Sequence, residues 1–174
     1  LWGYTMANFP GIAGNDSLVG NAAEDDSITG LAGDDTLIGD TGNDTIEGGA
    51  GIDKIDGDGG DDIIDGGDGD DIIIGAAGAD VIDGGADDDE IYGCDDNDSI
   101  LGGAGADTVF GGAGDDTVHG NAGADKIDGG AGADKLYGCD DADIIVGAGG
   151  ADIIQGGAGA DQLYGCDDND SILG

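Results

Sequence analysis

Gly111-Gly112-Ala113-Gly114-Asp115-Asp116-Thr117-Val118-His119 is the stretch whose pattern decides the fold. Units of the same build begin nine residues to either side, at Gly102 and Gly120. Followed outward, they give eighteen consecutive repeats from Gly11 to the end of the chain. Seventeen have nine residues; the second, beginning at Gly20, has ten. The first position is Gly in all eighteen, the sixth is Asp in all eighteen, and the eighth is Leu, Ile or Val in all eighteen. The fourth is Gly in thirteen, with Glu24, Asp87, Asp96, Asp141 and Asp168 as the exceptions. A short period of this regularity is the signature of a solenoid, in which each unit buries its apolar face only against its neighbours.

The positions divide the work. Residues one to six are too rich in Gly and Asp for regular structure, so they are expected to form a turn whose glycines take positive φ. Residues seven to nine carry β-branched and aliphatic types, which suits a short strand with residue eight facing inward. Two repeats per coil give two parallel sheets with the eighth residues between them. The expected fold is all-β, a parallel β-roll (a right-handed β-solenoid) of about nine two-repeat turns, roughly 43 Å long at strand spacing.

Charge sets the next constraint. The chain has 41 acidic residues against three Lys and a formal net charge of −38. Such a polyanion repels itself, nucleic acid and anionic membrane surfaces alike. No stretch approaches the roughly 20 apolar residues of a membrane span. The partner implied is a cation. Stacking places the sixth-position Asp residues one per turn along each side of the roll, at roughly 4.8 Å, where bare carboxylates repel. Carboxylate and carbonyl oxygens without a Cys or His pair in the turn suit calcium better than zinc, and magnesium retains its waters. One calcium for nearly every stacked pair of turns would be about sixteen ions, with folding and metal binding a single equilibrium.

The unit Gly-Gly-x-Gly-x-Asp-x-aliphatic-x resembles the repeat-in-toxin (RTX) calcium-binding nonapeptide family over residues 11–174. The resemblance implies a calcium-loaded β-roll in a protein secreted by bacteria and folded after export. It also implies the carboxylate ligands: Asp16, Asp26, Asp35, Asp44, Asp53, Asp62, Asp71, Asp80, Asp89, Asp98, Asp107, Asp116, Asp125, Asp134, Asp143, Asp152, Asp161 and Asp170. The five fourth positions without Gly either bend the backbone differently or supply an extra ligand.

No catalytic constellation stands beside these repeats. His119 is the only histidine and falls at an outward ninth position, without partners for a triad or a two-histidine metal motif. The Gly-x-Gly runs are not followed by a helix or Lys, so they are not phosphate loops. The chain is expected to be a non-enzymatic, calcium-binding structural protein of an extracellular filament or surface assembly. The alternative is the calcium-triggered folding and export module of a larger secreted toxin or hydrolase.

Three features suggest self-association. Cys94, Cys139 and Cys166 recur in one cassette, Tyr-Gly-Cys-Asp-Asp, too far apart on the roll for a disulfide within the chain and available for bonds between chains. The ninth positions of alternate repeats line one face with Val19, Ile38, Asp56, Ile74, Tyr92, Phe110, Asp128, Val146 and Tyr164, a largely apolar stripe. The opposite ninth row, which includes Glu47, Asp65 and Asp83, is more polar. Residues 1–10 are uncharged and hold the only Trp, Met and Pro. They read as a cap over the first turn, or as a segment that docks on the end of another copy.

Overall fold

The computed structural model describes residues 7–174, and residues 1–6 of the N-terminal segment lie outside the described residues. Strand follows strand from Ala7–Pro10 to Ser171–Leu173 without a helix among the described residues. Alternate strands enter alternate sheets. One sheet has ten strands and contains both Ala7–Pro10 and Ser171–Leu173; the other has nine, from Ser17–Val19 to Gln162–Asp167. Every pairing between neighbouring strands is parallel. Partners are 18 residues apart, as in Glu90 with Thr108. The offset becomes 19 only across the ten-residue repeat, as in Ser17 with Thr36. This is the β-roll expected from the period.

Eighth-position side chains form the whole core. Ile28, Leu37, Ile46 and their successors through Ile154 are essentially sealed from water. Leu18, Leu163 and Phe9 pack against the ends of this row. Phe9 belongs to Ala7–Pro10, which pairs with Asp26–Ala32 and sets Phe9 beside Ile28. Residues 7–10 thus continue the ten-stranded sheet in register with the repeats.

Two details differ from the sequence reading. Most strands are six residues long, running from position seven of one repeat through position three of the next, as in Thr108–Ala113. The ladder therefore continues into the segment read as turn, although position two is left-handed: φ is 88° at Cys94, 84° at Leu31 and 84° at Cys139. The second detail concerns the faces. Seventh positions point outward with the ninth, as alternation about the eighth requires, and on the ten-stranded sheet they include Ile63, Val81 and Ile153, all exposed. That face is less polar than its ninth row alone implies.

Candidate metal centre

The eighteen sixth-position Asp residues come together in two columns of nine, one at each side of the roll. In each step the backbone N–H of one Asp donates to Oδ1 of the Asp one turn later. One column runs from Asp16 through Asp35, Asp53, Asp71, Asp89, Asp107, Asp125 and Asp143 to Asp161, at 2.7–3.1 Å. The other runs from Asp26 through Asp44, Asp62, Asp80, Asp98, Asp116 and Asp134 to Asp152 and Asp170, at 2.7–3.0 Å. These columns lie inside the turns. Each Asp from Asp26 to Asp152 is at most 3% exposed, whereas the terminal Asp16, Asp161 and Asp170 are partly exposed.

Oδ1 is satisfied and Oδ2 is not. From Asp35 to Asp152, every sixth-position Oδ2 is buried without a hydrogen-bond partner. At the first member of each column Oδ2 accepts instead, at Asp16 from Ile12 N–H and at Asp26 from Asn21 N–H, and Oδ1 of Asp26 is the buried orphan. A buried carboxylate oxygen without a donor is costly, because nothing replaces the water it lost.

The invariant first-position glycine explains where this oxygen sits. A Cβ on Gly30 would collide with Oδ2 of Asp35 and with the carbonyl oxygen of Gly48, one turn on. The same two kinds of oxygen occupy the space at Gly93, namely Oδ2 of Asp98 and the carbonyl of Gly111. First-position φ is not in the left-handed region, so glycine is required there for room rather than for conformation. Carboxylate and carbonyl oxygens face one small space with no proton donor between them. That is an oxygen-only donor set, the kind a hard divalent cation takes. Among the described residues, no three His, Cys, Asp or Glu side chains converge to hold a metal by themselves. A cation in the columns must therefore draw on backbone carbonyls as well.

Electrostatics point the same way. Loss of water on burial pushes Asp62, Asp89, Asp98 and Asp125 up to about 7, with neighbouring carboxylates adding to the rise and the N–H donor from the preceding turn opposing it. Burial likewise raises Asp71, Asp80 and Asp134 to about 6. A raised carboxylate holds its proton in the fold and releases it in the unfolded chain. The metal-free fold is thus most stable below about pH 4 and loses stability as pH rises through 6 to 7. In chelator, far-UV circular dichroism is expected to show β structure gained on acidification from pH 7.5 to about 4.5; a spectrum indifferent to pH over that range would contradict it.

The exposed rim of the turns has a different ladder, which the sequence reading missed. Where position five is Asp or Asn, its Oδ1 accepts the position-five N–H of the next turn. Examples are Asp61 N–H to Asn43 at 3.1 Å, Ala79 N–H to Asp61 at 3.0 Å and Ala133 N–H to Asp115 at 2.8 Å. The signal was the frequency of Asp and Asn at that position. The fourth-position substitutions resolve toward an altered backbone: Asp87, Asp96, Asp141 and Asp168 take φ of 71–78°, against 120–149° at twelve of the thirteen glycines in that position, and their side chains are exposed. They shift the turn's φ rather than add a ligand, since their side chains do not point into the buried columns. Glu24 lies in the ten-residue repeat, where the positive φ falls on Ala23 instead, at 63°.

Fold and columns together define a parallel β-roll whose turns present buried oxygens to a cation. The RTX calcium-binding nonapeptide repeat model matches the chain in ten overlapping stretches between residues 10 and 172, from 10–46 to 137–172. The chain belongs to that family, whose repeats bind calcium. No curated protein matches it.

Proposed function

We propose that the eighteen sixth-position Asp residues are the carboxylate ligands of calcium held between successive turns, about one ion per step and about sixteen in all. The chain then acts as a structural rod that calcium rigidifies within an extracellular assembly. The observation that carries this reading is the pair of columns of buried, donorless Oδ2 atoms. Calcium would supply the positive charge these oxygens lack, with Oδ2 and the first-position carbonyls as its oxygen donors. RTX repeat proteins are typically secreted, and weak extracellular calcium modules work at roughly millimolar calcium.

The role is mechanical rather than catalytic. His119 lies on an outer face with its ring stacked on Tyr137 at 4.5 Å, a packing contact rather than an acid–base pair. Association between copies is supported by the outward apolar residues and by three cysteines that are free in the single chain. A second reading, a calcium-triggered folding and export module of a longer protein, is favoured by the same columns, since they make folding conditional on the ion. Electron microscopy in millimolar calcium separates the two. Ordered fibres or sheets that come apart on chelation are the expected result. Isolated rods about 43 Å long that unfold on chelation would replace the assembly reading with the export module.

A further inference from the structure

Most of the charge on this molecule lies outside the outward strand positions. Outward positions seven and nine hold all three Lys but only six of the 41 acidic residues: Glu47, Asp56, Asp65, Asp83, Glu90 and Asp128. On the nine-stranded sheet the outward charges are Lys54, Asp56, Glu90, Lys126 and Asp128, so this face is close to neutral on a chain of charge −38. Glu90 already accepts from the Tyr92 hydroxyl. The two Lys–Asp pairs remain.

They occupy equivalent places. Lys54 and Asp56 sit in a shallow groove flanked by Ile38, Ile72 and Ile74. Lys126 and Asp128 sit in a matching groove four turns along, flanked by Phe110, Ile144 and Val146. Between the grooves Tyr92 and Phe110 stack at 5.1 Å. Oδ1 of Asp128 is buried and has no hydrogen-bond partner. In both pairs Lys is at position seven and Asp at position nine of one strand, and the strands are in register throughout.

We infer that this face pairs with the same face of a second copy, the two rods parallel and in register about a twofold axis along the rod. This rests on the calcium-rigidified rod proposed above and names one of its contacts. Such an axis reverses strand direction across the interface, so position seven of each strand lies opposite position nine of the same strand in the other copy. Lys54 then meets Asp56 of the second copy, Lys126 meets Asp128, and the reciprocal contacts make four ion pairs. Ile72 faces Ile74, and Ile144 faces Val146. The antiparallel alternative, with its axis along the strands, sets Lys54 against Lys126 and Asp56 against Asp128. Like charges exclude that orientation. The other face offers no such match, since its Glu47, Asp65 and Asp83 would lie opposite Thr45, Ile63 and Val81. A face about 43 Å by 10 Å buries on the order of 1,000 Å² in total, the lower bound of a specific interface, so the dimer is expected to be of micromolar affinity.

Sedimentation equilibrium of the full chain in millimolar calcium with reductant, so that cysteine linkage plays no part, tests the pairing. Wild type is expected to form a dimer. Lys54→Asp should weaken it about tenfold, because the substituted carboxylate then opposes Asp56 of the second copy; in an antiparallel dimer the same change would meet Lys126 and strengthen binding. Exchanging both pairs (K54D, D56K, K126D and D128K together) should restore wild-type affinity. A wild-type monomer at about 100 µM, or a dimer that Lys54→Asp strengthens or leaves unchanged, overturns the pairing. Circular dichroism of each variant in calcium reports the fold separately, and a wild-type coil in calcium would remove the rod itself rather than only this contact.

Discussion

In chelator near pH 7.5 the chain is expected to be a coil, and millimolar calcium to convert it cooperatively to parallel β structure. Each repeat contributes one buried aliphatic side chain and one carboxylate stacked on the next turn. The first stabilises by roughly 2–2.5 kcal/mol. Two bare carboxylates about 4.8 Å apart repel by roughly 3.5 kcal/mol at an effective dielectric of 20. Repulsion therefore outweighs the core, repeat by repeat, until a cation or a proton intervenes. Because neighbouring turns share each step, gain of structure should be steep in calcium rather than graded. Far-UV circular dichroism during a calcium titration reads this directly. A fold that persists in excess chelator at neutral pH would show that the columns need no ion.

The second large effect is a single methyl group. Gly93→Ala puts a Cβ into the space held by Oδ2 of Asp98 and the carbonyl of Gly111. Both atoms belong to the oxygen set assigned to calcium, and one is backbone, so the collision is not relieved by a rotamer change. The expected cost is about 3 kcal/mol or more, the upper range for overpacking a tight site, seen as a higher calcium midpoint and a lower melting temperature. The neighbouring Cys94→Gly should act in the opposite sense. Cys94 has φ of 88°, a conformation glycine adopts freely, so stability should rise by about 1 kcal/mol. Equal tolerance of both changes in thermal melts would contradict the assignment of space at position one and conformation at position two.

That distinction marks the limit of what the sequence discloses. The period, the inward eighth row and the alternation into two sheets were legible because burial acts on side-chain type, and Ile28 through Ile154 follow one rule. The stacking of Asp35 on Asp53 was legible for the same reason, since parallel register follows from the period. The purpose of each glycine was not legible, because Gly93 and Gly105 read alike in sequence. One is required by an oxygen beside its Cα, the other by a φ of 149° as well as a carbonyl close behind it. The rim ladder was hidden because Asp61 and Asp62 are the same residue type, yet one accepts an exposed N–H and the other sits in the buried column. Nor did the ninth row alone describe a face, since Ile63 and Val81 add apolar surface from position seven.

The most direct measurement is a crystal structure of the chain grown in calcium, with anomalous scattering used to locate the ions. The expected result is two files of calcium inside the turns, each ion within bonding distance of a sixth-position Asp Oδ2 and of backbone carbonyls. Ions confined to the exposed rim, with the columns from Asp35 to Asp152 still donorless, would contradict it.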